Sequence, residues 1–232
     1  MTLDFVSAGA AQGLVASIAR EAGVEIAGSF GAVGAMLEQF LAGEPCDVVI
    51  LTRAQIADLV AKGSIVRGTP GDLGAAPTAL AVRAGETAPQ VRDESSLRAA
   101  LLGADAIYFP DPAKATAGIH FAKVLDLLGI RDAVAARVKN FPNGTTAMKA
   151  MGEAPGHPIG CTQATEILAV PSVRLVAPLP KGFDLATVYT AAVSARASHR
   201  TEAEAFVRKL IGAESKSTRL VAGFEEVVSG TT

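Results

Sequence analysis

The fold is decided by residues 3–52, which read LDFVSAGAAQ GLVASIAREA GVEIAGSFGA VGAMLEQFLA GEPCDVVILT. Short apolar runs at residues 3–7, 24–28 and 47–51 have the length of buried strands, and a helical repeat of apolar residues follows each of them. The repeats contain Ala11, Leu14, Val15, Ile18 and Ala19, then Val33, Met36, Leu37, Phe40 and Leu41, then Ile56, Leu59 and Val60. Strand–helix units joined by such short loops predict a parallel sheet with right-handed crossovers.

A second α/β region follows a passage rich in Gly and Pro at residues 68–74. We expect strands at 77–82, 106–109, 158–161, 173–177 and 185–194, and helices at 96–102, 121–128, 133–138 and 146–151. Thr201 and Glu204 have the spacing of a capping box for a last helix, and a tail at 218–228 ends the chain. The pattern predicts two lobes, one of residues 1–80 plus 179–232 and one of residues 81–178. Each lobe is a mainly parallel sheet flanked by helices, and two crossing strands join them.

Composition excludes several classes of protein. The 232 residues are 50% hydrophobic, and 21 basic against 23 acidic residues give a net charge of −2 without a basic block. Nucleic acid is therefore not expected as a partner, and no apolar segment is long enough to predict a membrane span. Cys46 and Cys161 are read as small buried residues.

Motifs for cofactors and metals are not recognisable. The glycines at 28, 31 and 34 miss the dinucleotide-binding spacing, and His120, His157 and His199 are too far apart to form a metal-binding pair. We expect neither a cofactor nor a metal. Asp4 is the first charged residue and Arg20 the next, so a basic leader is missing. This predicts a cytoplasmic protein as the chain is written, and a periplasmic one if a leader was removed.

The turns that follow the strands consist mostly of small, uncharged residues, and in a parallel sheet they face the ligand crevice. They comprise residues 7–11, 29–34, 51–53, 111–118 and 161–165. Helix starts with exposed amide groups bind anions without Lys or Arg, so a small anionic ligand is expected. The alternative is that Ser, Thr and Gly at these turns are ordinary helix caps.

Segments 7–11, 29–36, 43–50, 111–112, 117–118, 158–163 and 222–224 together resemble the molybdate-binding periplasmic proteins, a branch of the type II solute-binding proteins. The resemblance extends over nearly the whole chain. It implies the two-lobe type II periplasmic-binding-protein fold, with a small anion clamped between the lobes by hinge closure. For an exported protein it also implies an ABC transporter permease as partner. The residues that would line the site are Ser7, Ala8, Gly9, Gly31, Ala32, Val33, Thr52, Arg53, Thr116, Ala117, Gly118, Thr162 and Gln163.

Residues 160–167 are more similar to relatives that bind organic acids, among them aconitate isomerase, which shares this fold. The ligand is therefore either an oxyanion or an organic polycarboxylate. A polycarboxylate favours charged donors at the rim, and Arg53, Arg83 and Lys114 are the candidates. The alternative is that each of them is an ordinary solvated surface residue.

His120 is the candidate catalytic residue, because it lies four positions after Thr116 near the start of a predicted helix. Two functions stay open. The first is a solute-binding protein that delivers or reports its ligand. The alternative is an intracellular, cofactor-independent isomerase that moves a double bond in an unsaturated polycarboxylate by allylic proton transfer. Whether the chain is an enzyme is undecided, since a partly exposed helical histidine without a catalytic task is the more common case.

Overall fold

The computed structural model describes residues 1–227, and the chain divides into two compact units. Unit one contains residues 1–76 and the chain from residue 187 onward, and unit two contains residues 77–186. The chain therefore passes between the units after Ala76 and again after Ala186, whereas the sequence placed the crossings after residues 80 and 178.

Strands and helices alternate along most of the chain. The strands are β1 Thr2–Ala8, β2 Glu25–Gly31, β3 Val48–Thr52, β4 Gly71–Arg83, β5 Ile107–Pro110, β6 Val138–Phe141, β7 Ile159–Gln163, β8 Val173–Pro178 and β9 Ala186–Val193. The helices are α1 Gln12–Ala22, α2 Val33–Ala42, α3 Arg53–Ala61, α4 Glu94–Gly103, α5 Thr116–Leu127, α6 Arg131–Val134, α7 Gly144–Gly152, α8 Ala164–Leu168, α9 Arg200–Ile211 and α10 Lys216–Val221. Within residues 1–227, no helix is long and apolar enough to cross a membrane.

The sheet of unit one has the order β2-β1-β3-β9. β1 is parallel to both β2 and β3, which confirms the parallel sheet predicted from the first three strand–helix units, and β9 is antiparallel to β3. The core beneath it includes the fully buried Phe5, Leu14 and Ile50. Gly28 of β2 has a φ of +106°, and a Cβ there would overlap the backbone of Phe5. Glycine at this position therefore lets β2 pair with β1.

Unit two has the strand order β6-β5-β7-β4, with β8 on the other side of β4. β5 is parallel to β6 and β7, while β4 is antiparallel to β7 and β8. One apolar cluster contains Leu97 of α4 and Phe121 of α5, and a second contains Met148 of α7 and Ile167 of α8. The helices of this unit thus bury their apolar stripes against the sheet.

The prediction of one helix over residues 133–138 is wrong in its second half. α6 is followed by a 3-10 turn over Ala135–Arg137, and Val138 already belongs to β6, where it pairs with Ile107. β6 is an edge strand whose central residues Lys139 and Asn140 are exposed. It therefore lacks the apolar run that makes a strand visible in sequence.

The predicted capping box of Thr201 and Glu204 is also wrong. The N-cap of α9 is His199, two residues before Thr201, and no side-chain capping bond forms there. The carboxylate of Asp47, distant in sequence, accepts the backbone N–H groups just before the helix instead. The predicted tail at 218–228 begins inside α10, which starts at Lys216, and Val228 lies outside the described residues.

Asp47 ties the start of α9 to the sheet of unit one. Its side chain is 1% exposed. Oδ1 accepts the backbone N–H groups of Ser198 at 2.7 Å and His199 at 3.0 Å. Oδ2 accepts the N–H of Asp4 at 3.1 Å and lies 3.2 Å from Nδ1 of His199. Burial acts to raise the pKa of Asp47, but these hydrogen bonds outweigh it and lower the pKa below 3.8.

Asp47→Asn should lower the free energy of unfolding at pH 7 by about 2 kcal/mol, because it removes a buried charge that accepts three backbone N–H groups and lies beside Nδ1 of His199. The folded-state pKa is lowered, so the stabilisation is complete above the ordinary carboxyl pKa and is lost as the pH falls through the folded-state value. Urea unfolding at pH 7 and pH 3 measures both effects. The exposed Asp58→Asn is the matched control. Equal losses for the two variants would contradict this role of Asp47.

Candidate functional site

The carboxyl ends of β1, β2 and β3 lie at one edge of the unit-one sheet. Ala8 pairs with Gly31, and Ser7 pairs with Ile50, two residues before the end of β3. Because parallel neighbours end at the same edge, the turns that follow them are adjacent. The structure thus brings together eight of the predicted site residues: Ser7, Ala8, Gly9, Gly31, Ala32, Val33, Thr52 and Arg53.

Alanine occupies the N-cap at two of these turns. Ala8 precedes the 3-10 turn Gly9–Ala11 that leads into α1, and Ala32 precedes α2. Neither forms a side-chain capping bond, because the methyl group of alanine has no oxygen atom to accept an amide hydrogen. The first amide groups of a helix have no partner within the helix. These two helix starts therefore leave amide donors for water or an anion.

Thr52 behaves as the ordinary helix cap that the alternative interpretation proposed. Its Oγ1 accepts the N–H of Gln55 at 3.4 Å, and Oε1 of Gln55 accepts the N–H of Thr52 at 3.2 Å. This reciprocal pair is a complete capping box at the start of α3. The Thr52 hydroxyl also donates to Oε1 of Gln55 at 2.9 Å. The hydrogen bonds of this side chain are therefore made within the start of α3.

Ser7 and Arg53 both have partners inside unit one. Ser7 is fully buried, and its hydroxyl donates to the carbonyl of Ala8 at 3.0 Å. Arg53 donates from Nε and Nη2 to the carboxylate of Asp72 at 3.3 and 2.6 Å. Thr190 donates to the same carboxylate at 2.6 Å. Burial acts to raise the pKa of Asp72, but Arg53 and Thr190 lower it, so an ionised carboxylate balances the Arg53 charge.

In unit two, β5 and β7 are parallel neighbours that lead into α5 and α8. The N-cap of α5 is Ala115, again without a side-chain capping bond. Thr116 is half-buried, while Ala117 and Gly118 are buried. A Cβ at Gly118 would overlap the carbonyl oxygens of Pro110 and Asp111. Small residues therefore let the start of α5 pack directly against the end of β5.

Thr162 donates from Oγ1 to Oε2 of Glu166 at 2.5 Å, and both residues are buried. The Glu166 carboxyl also accepts the backbone N–H groups of Gly144, Thr145 and Gln163. Burial raises the pKa of Glu166, although these hydrogen bonds oppose the rise. Glu166 thus fills the anion-binding start of α7 with a group from the chain itself. It also fixes the direction of the Thr162 hydroxyl, a role that the sequence did not reveal.

His120 is half-buried on α5, and its Nε2 lies 2.7 Å from the carbonyl oxygen of Phe183. A carbonyl oxygen only accepts hydrogen bonds, so Nε2 carries the proton. The lone pair of the neutral ring is then on Nδ1. The hydrogen bond to the Phe183 carbonyl orients the imidazole ring and leaves Nδ1 as its basic nitrogen.

The other rim candidates have structural contacts. Arg83 donates to the carbonyls of Ala154 at 2.6 Å and Gly156 at 2.8 Å and also pairs with Glu86, so it anchors loops of unit two. Lys114 lies in the exposed loop before α5. Residues 1–227 contain no cluster of three or more His, Cys, Asp or Glu residues suited to a metal ion.

Both cysteines are buried and free, as the sequence predicted. Burial raises the pKa of the Cys46 thiol to about 12 and that of the Cys161 thiol well above its ordinary value. Both therefore remain neutral thiols, which are poor nucleophiles.

Comparison with known proteins adds three findings. The model of the bacterial extracellular solute-binding protein family matches residues 6–225. Aconitate isomerase from Pseudomonas sp is 26% identical over 237 residues, which cover 97% of this chain and 88% of that protein. Two solved structures with 20% identity are similar in fold.

The first is the periplasmic molybdate-binding protein of Azotobacter vinelandii, with a TM-score of 0.75 over 97% of this chain and 100% of that one. The second is the sulfate-binding protein of Mycobacterium tuberculosis H37Rv, with a TM-score of 0.70 over 99% and 88%. They confirm the predicted α/β fold of the type II periplasmic binding proteins.

Gly144→Ala should lower the free energy of unfolding by about 2 kcal/mol, because its Cβ would overlap Oγ1 of Thr162 and Oε2 of Glu166. Gly103→Ala is the matched control. Gly103 is also a terminal helix residue, but a Cβ there meets nothing within 4 Å. Urea unfolding of both variants measures the difference. If Gly144→Ala is as stable as Gly103→Ala, the close packing of Thr162 and Glu166 against α7 is refuted.

Proposed function

The chain belongs to the bacterial extracellular solute-binding protein family, and on this premise we propose that it binds a small anion, either an oxyanion or an organic polycarboxylate. The main support for this proposal is the match of the family model over residues 6–225. Relatives whose names give molybdate, sulfate and aconitate as ligands or substrates support an anion as the ligand class.

Backbone amide groups are the proposed anion-binding donors. Supporting this are the alanine N-caps Ala8, Ala32 and Ala115, which leave the starts of three helix-forming segments without side-chain oxygens. Each helix start carries roughly half a positive charge, which attracts an anion without a neighbouring cation. The proposed anion-binding residues of unit one are Ser7, Ala8, Gly9, Gly31, Ala32, Val33, Thr52 and Arg53, and those of unit two are Thr116, Ala117, Gly118, Thr162 and Gln163.

Side chains have a small part in this proposal. The hydroxyls of Thr52 and Thr162 are held by Gln55 and Glu166, and the Arg53 charge is balanced by Asp72. These residues are proposed to contribute through backbone groups or remaining donors. For an exported protein, the proposed membrane partner is the permease of an ABC transporter.

A second candidate function is isomerisation of an unsaturated polycarboxylate. Its support is the 26% identity to aconitate isomerase over 97% of the chain. In such a reaction a base removes an allylic proton, the double bond shifts by one carbon, and the proton returns to the far carbon. His120 is the proposed base, because its Nε2–H is engaged by Phe183 and its Nδ1 carries the lone pair.

We expect an anion to raise the melting temperature of the protein by mass action. A thermal-shift panel of molybdate, tungstate, sulfate, citrate, cis-aconitate and trans-aconitate tests the proposal and separates oxyanions from polycarboxylates. Chloride at equal ionic strength is the control. No shift with any member of the panel would refute binding of these ligand classes.

Ala115→Asp should weaken anion binding by about tenfold or more, because its carboxylate would accept the first amides of α5 and repel the anion. Calorimetric titration with the anion that shifts the wild-type melting temperature measures the loss. Ala99→Asp adds the same charge at an exposed position of α4 and should bind like wild type. Circular dichroism verifies that both variants are folded. Equal affinity of Ala115→Asp and Ala99→Asp would show that the α5 amides do not hold the anion.

His120→Gln should lower isomerase turnover by about 100-fold or more, because the amide of Gln keeps a donor for Phe183 but has no basic nitrogen. NMR of trans-aconitate in D₂O follows loss of the vinyl proton and formation of product. Binding of trans-aconitate should change little in this variant. Wild-type turnover retained in His120→Gln would exclude His120 as the base, and no turnover by wild type would end the isomerase proposal for this substrate.

A further inference from the structure

Thr78 places a hydroxyl in an otherwise apolar stretch of β4. Residues 73–82 read LGAAPTALAV, and Thr78 is 0% exposed. Its backbone groups are satisfied, since its N–H donates to the carbonyl of Leu185 at 2.7 Å and its carbonyl accepts the N–H of Leu179 at 3.0 Å. Its Oγ1, however, has no hydrogen-bond partner among residues 1–227.

Thr165, on α8, is a second buried threonine whose hydroxyl has no partner in the described part of the chain. It is 4% exposed. Thr165 is two residues beyond Gln163, and Gln163 pairs with Thr78 in the antiparallel ladder of β4 and β7. Residues opposite each other in such a ladder have side chains on the same face. Thr78 and Thr165 therefore both lie beside the carboxyl end of β7 in unit two.

An unsatisfied buried hydroxyl is unfavourable, because it loses its hydrogen bonds to water and gains none in exchange. Valine has nearly the same shape as threonine and would avoid this cost at both positions. Native proteins rarely keep such groups without a partner. Two of them beside the carboxyl end of β7, the parallel neighbour of β5, lie where α/β proteins bind ligands and point to a shared partner outside the chain.

We propose that Thr78 and Thr165 hydrogen-bond the anion through their hydroxyl groups and help to determine ligand specificity. This inference rests on the proposed anion-binding function and adds two side-chain donors to the backbone amides. Hydroxyls are neutral and donate one directed hydrogen bond each, so they select ligands by the position of oxygen atoms. Thr78 belongs to the strand that enters unit two, which the sequence had assigned to the crossing and not to the site.

Calorimetric titration of trans-aconitate and of molybdate into wild type, Thr78→Val and Thr165→Val tests this inference. Each variant should bind the wild-type ligand about tenfold or more weakly. The melting temperature of the ligand-free variants should stay equal to that of wild type or rise, because a buried unsatisfied group has been removed. Thr78→Ser restores the hydroxyl and should recover most of the affinity.

Thr69→Val is the matched control. The Thr69 hydroxyl donates to the carbonyl of Val66 at 2.7 Å and accepts the N–H of Val193 at 3.1 Å. This variant should melt at a lower temperature than wild type and bind the anion with unchanged affinity. Thr69→Val thus gives the change in melting temperature that follows when a hydroxyl with hydrogen-bond partners is removed from the same protein.

Unchanged affinity in both Thr78→Val and Thr165→Val would overturn the inference. A fall in their ligand-free melting temperature like that of Thr69→Val would also overturn it, because the hydroxyls would then have partners in the protein. If wild type binds neither probe, the proposed function fails for these two ligands. In that case only the melting temperatures of the ligand-free Thr78→Val and Thr165→Val variants test the hydroxyls. No change or a rise supports hydroxyls without partners in the protein, and a fall refutes them.

Discussion

Parallel pairing of β1 with β2 and β3 is the constraint on which the candidate site in unit one depends. The ladder places Ala8 beside Gly31 and Ser7 beside Ile50, so the strands end at one edge of the sheet. Gly28 permits this register because any side chain there would overlap the backbone of Phe5. A parallel ladder also requires each strand to be followed by a helix that crosses back, and so the helix starts gather at the same edge.

Helix starts in this protein include two chemically different groups, besides those of α6, α8, α9 and α10, which also form no side-chain capping bond. α3, α4 and α7 are capped by the side chains of Thr52, Asp93 and Asn143. The segments that begin after Ala8, Ala32 and Ala115 have no side-chain cap. A side-chain oxygen satisfies the amides of a helix start permanently, whereas an alanine leaves them available. The helix starts after Ala8, Ala32 and Ala115 are therefore suited to reversible binding of a ligand.

The sequence predicted the strand–helix order and the small-residue turns because both depend on local patterns. Apolar periodicity located β1 to β3, and the Ala and Gly residues at the turns were visible directly. Partners that come from distant segments could not be predicted. Asp72 neutralises Arg53 across 19 positions of sequence. Edge strand β6 was missed because its exposed centre has no apolar run.

Asp47 binds the backbone of Ser198 and His199, and β9 completes the sheet beside β3, so unit one is built from both ends of the chain. Unit two is one continuous segment. During synthesis on the ribosome, the middle segment is complete before β9 and α9 have emerged. Since domains generally fold as units, unit two is free to fold while the first 76 residues still lack the strand that covers β3. Nascent unit one is thus the part of the molecule that folds later, with the edge of β3 exposed to chaperones or to aggregation until β9 has emerged.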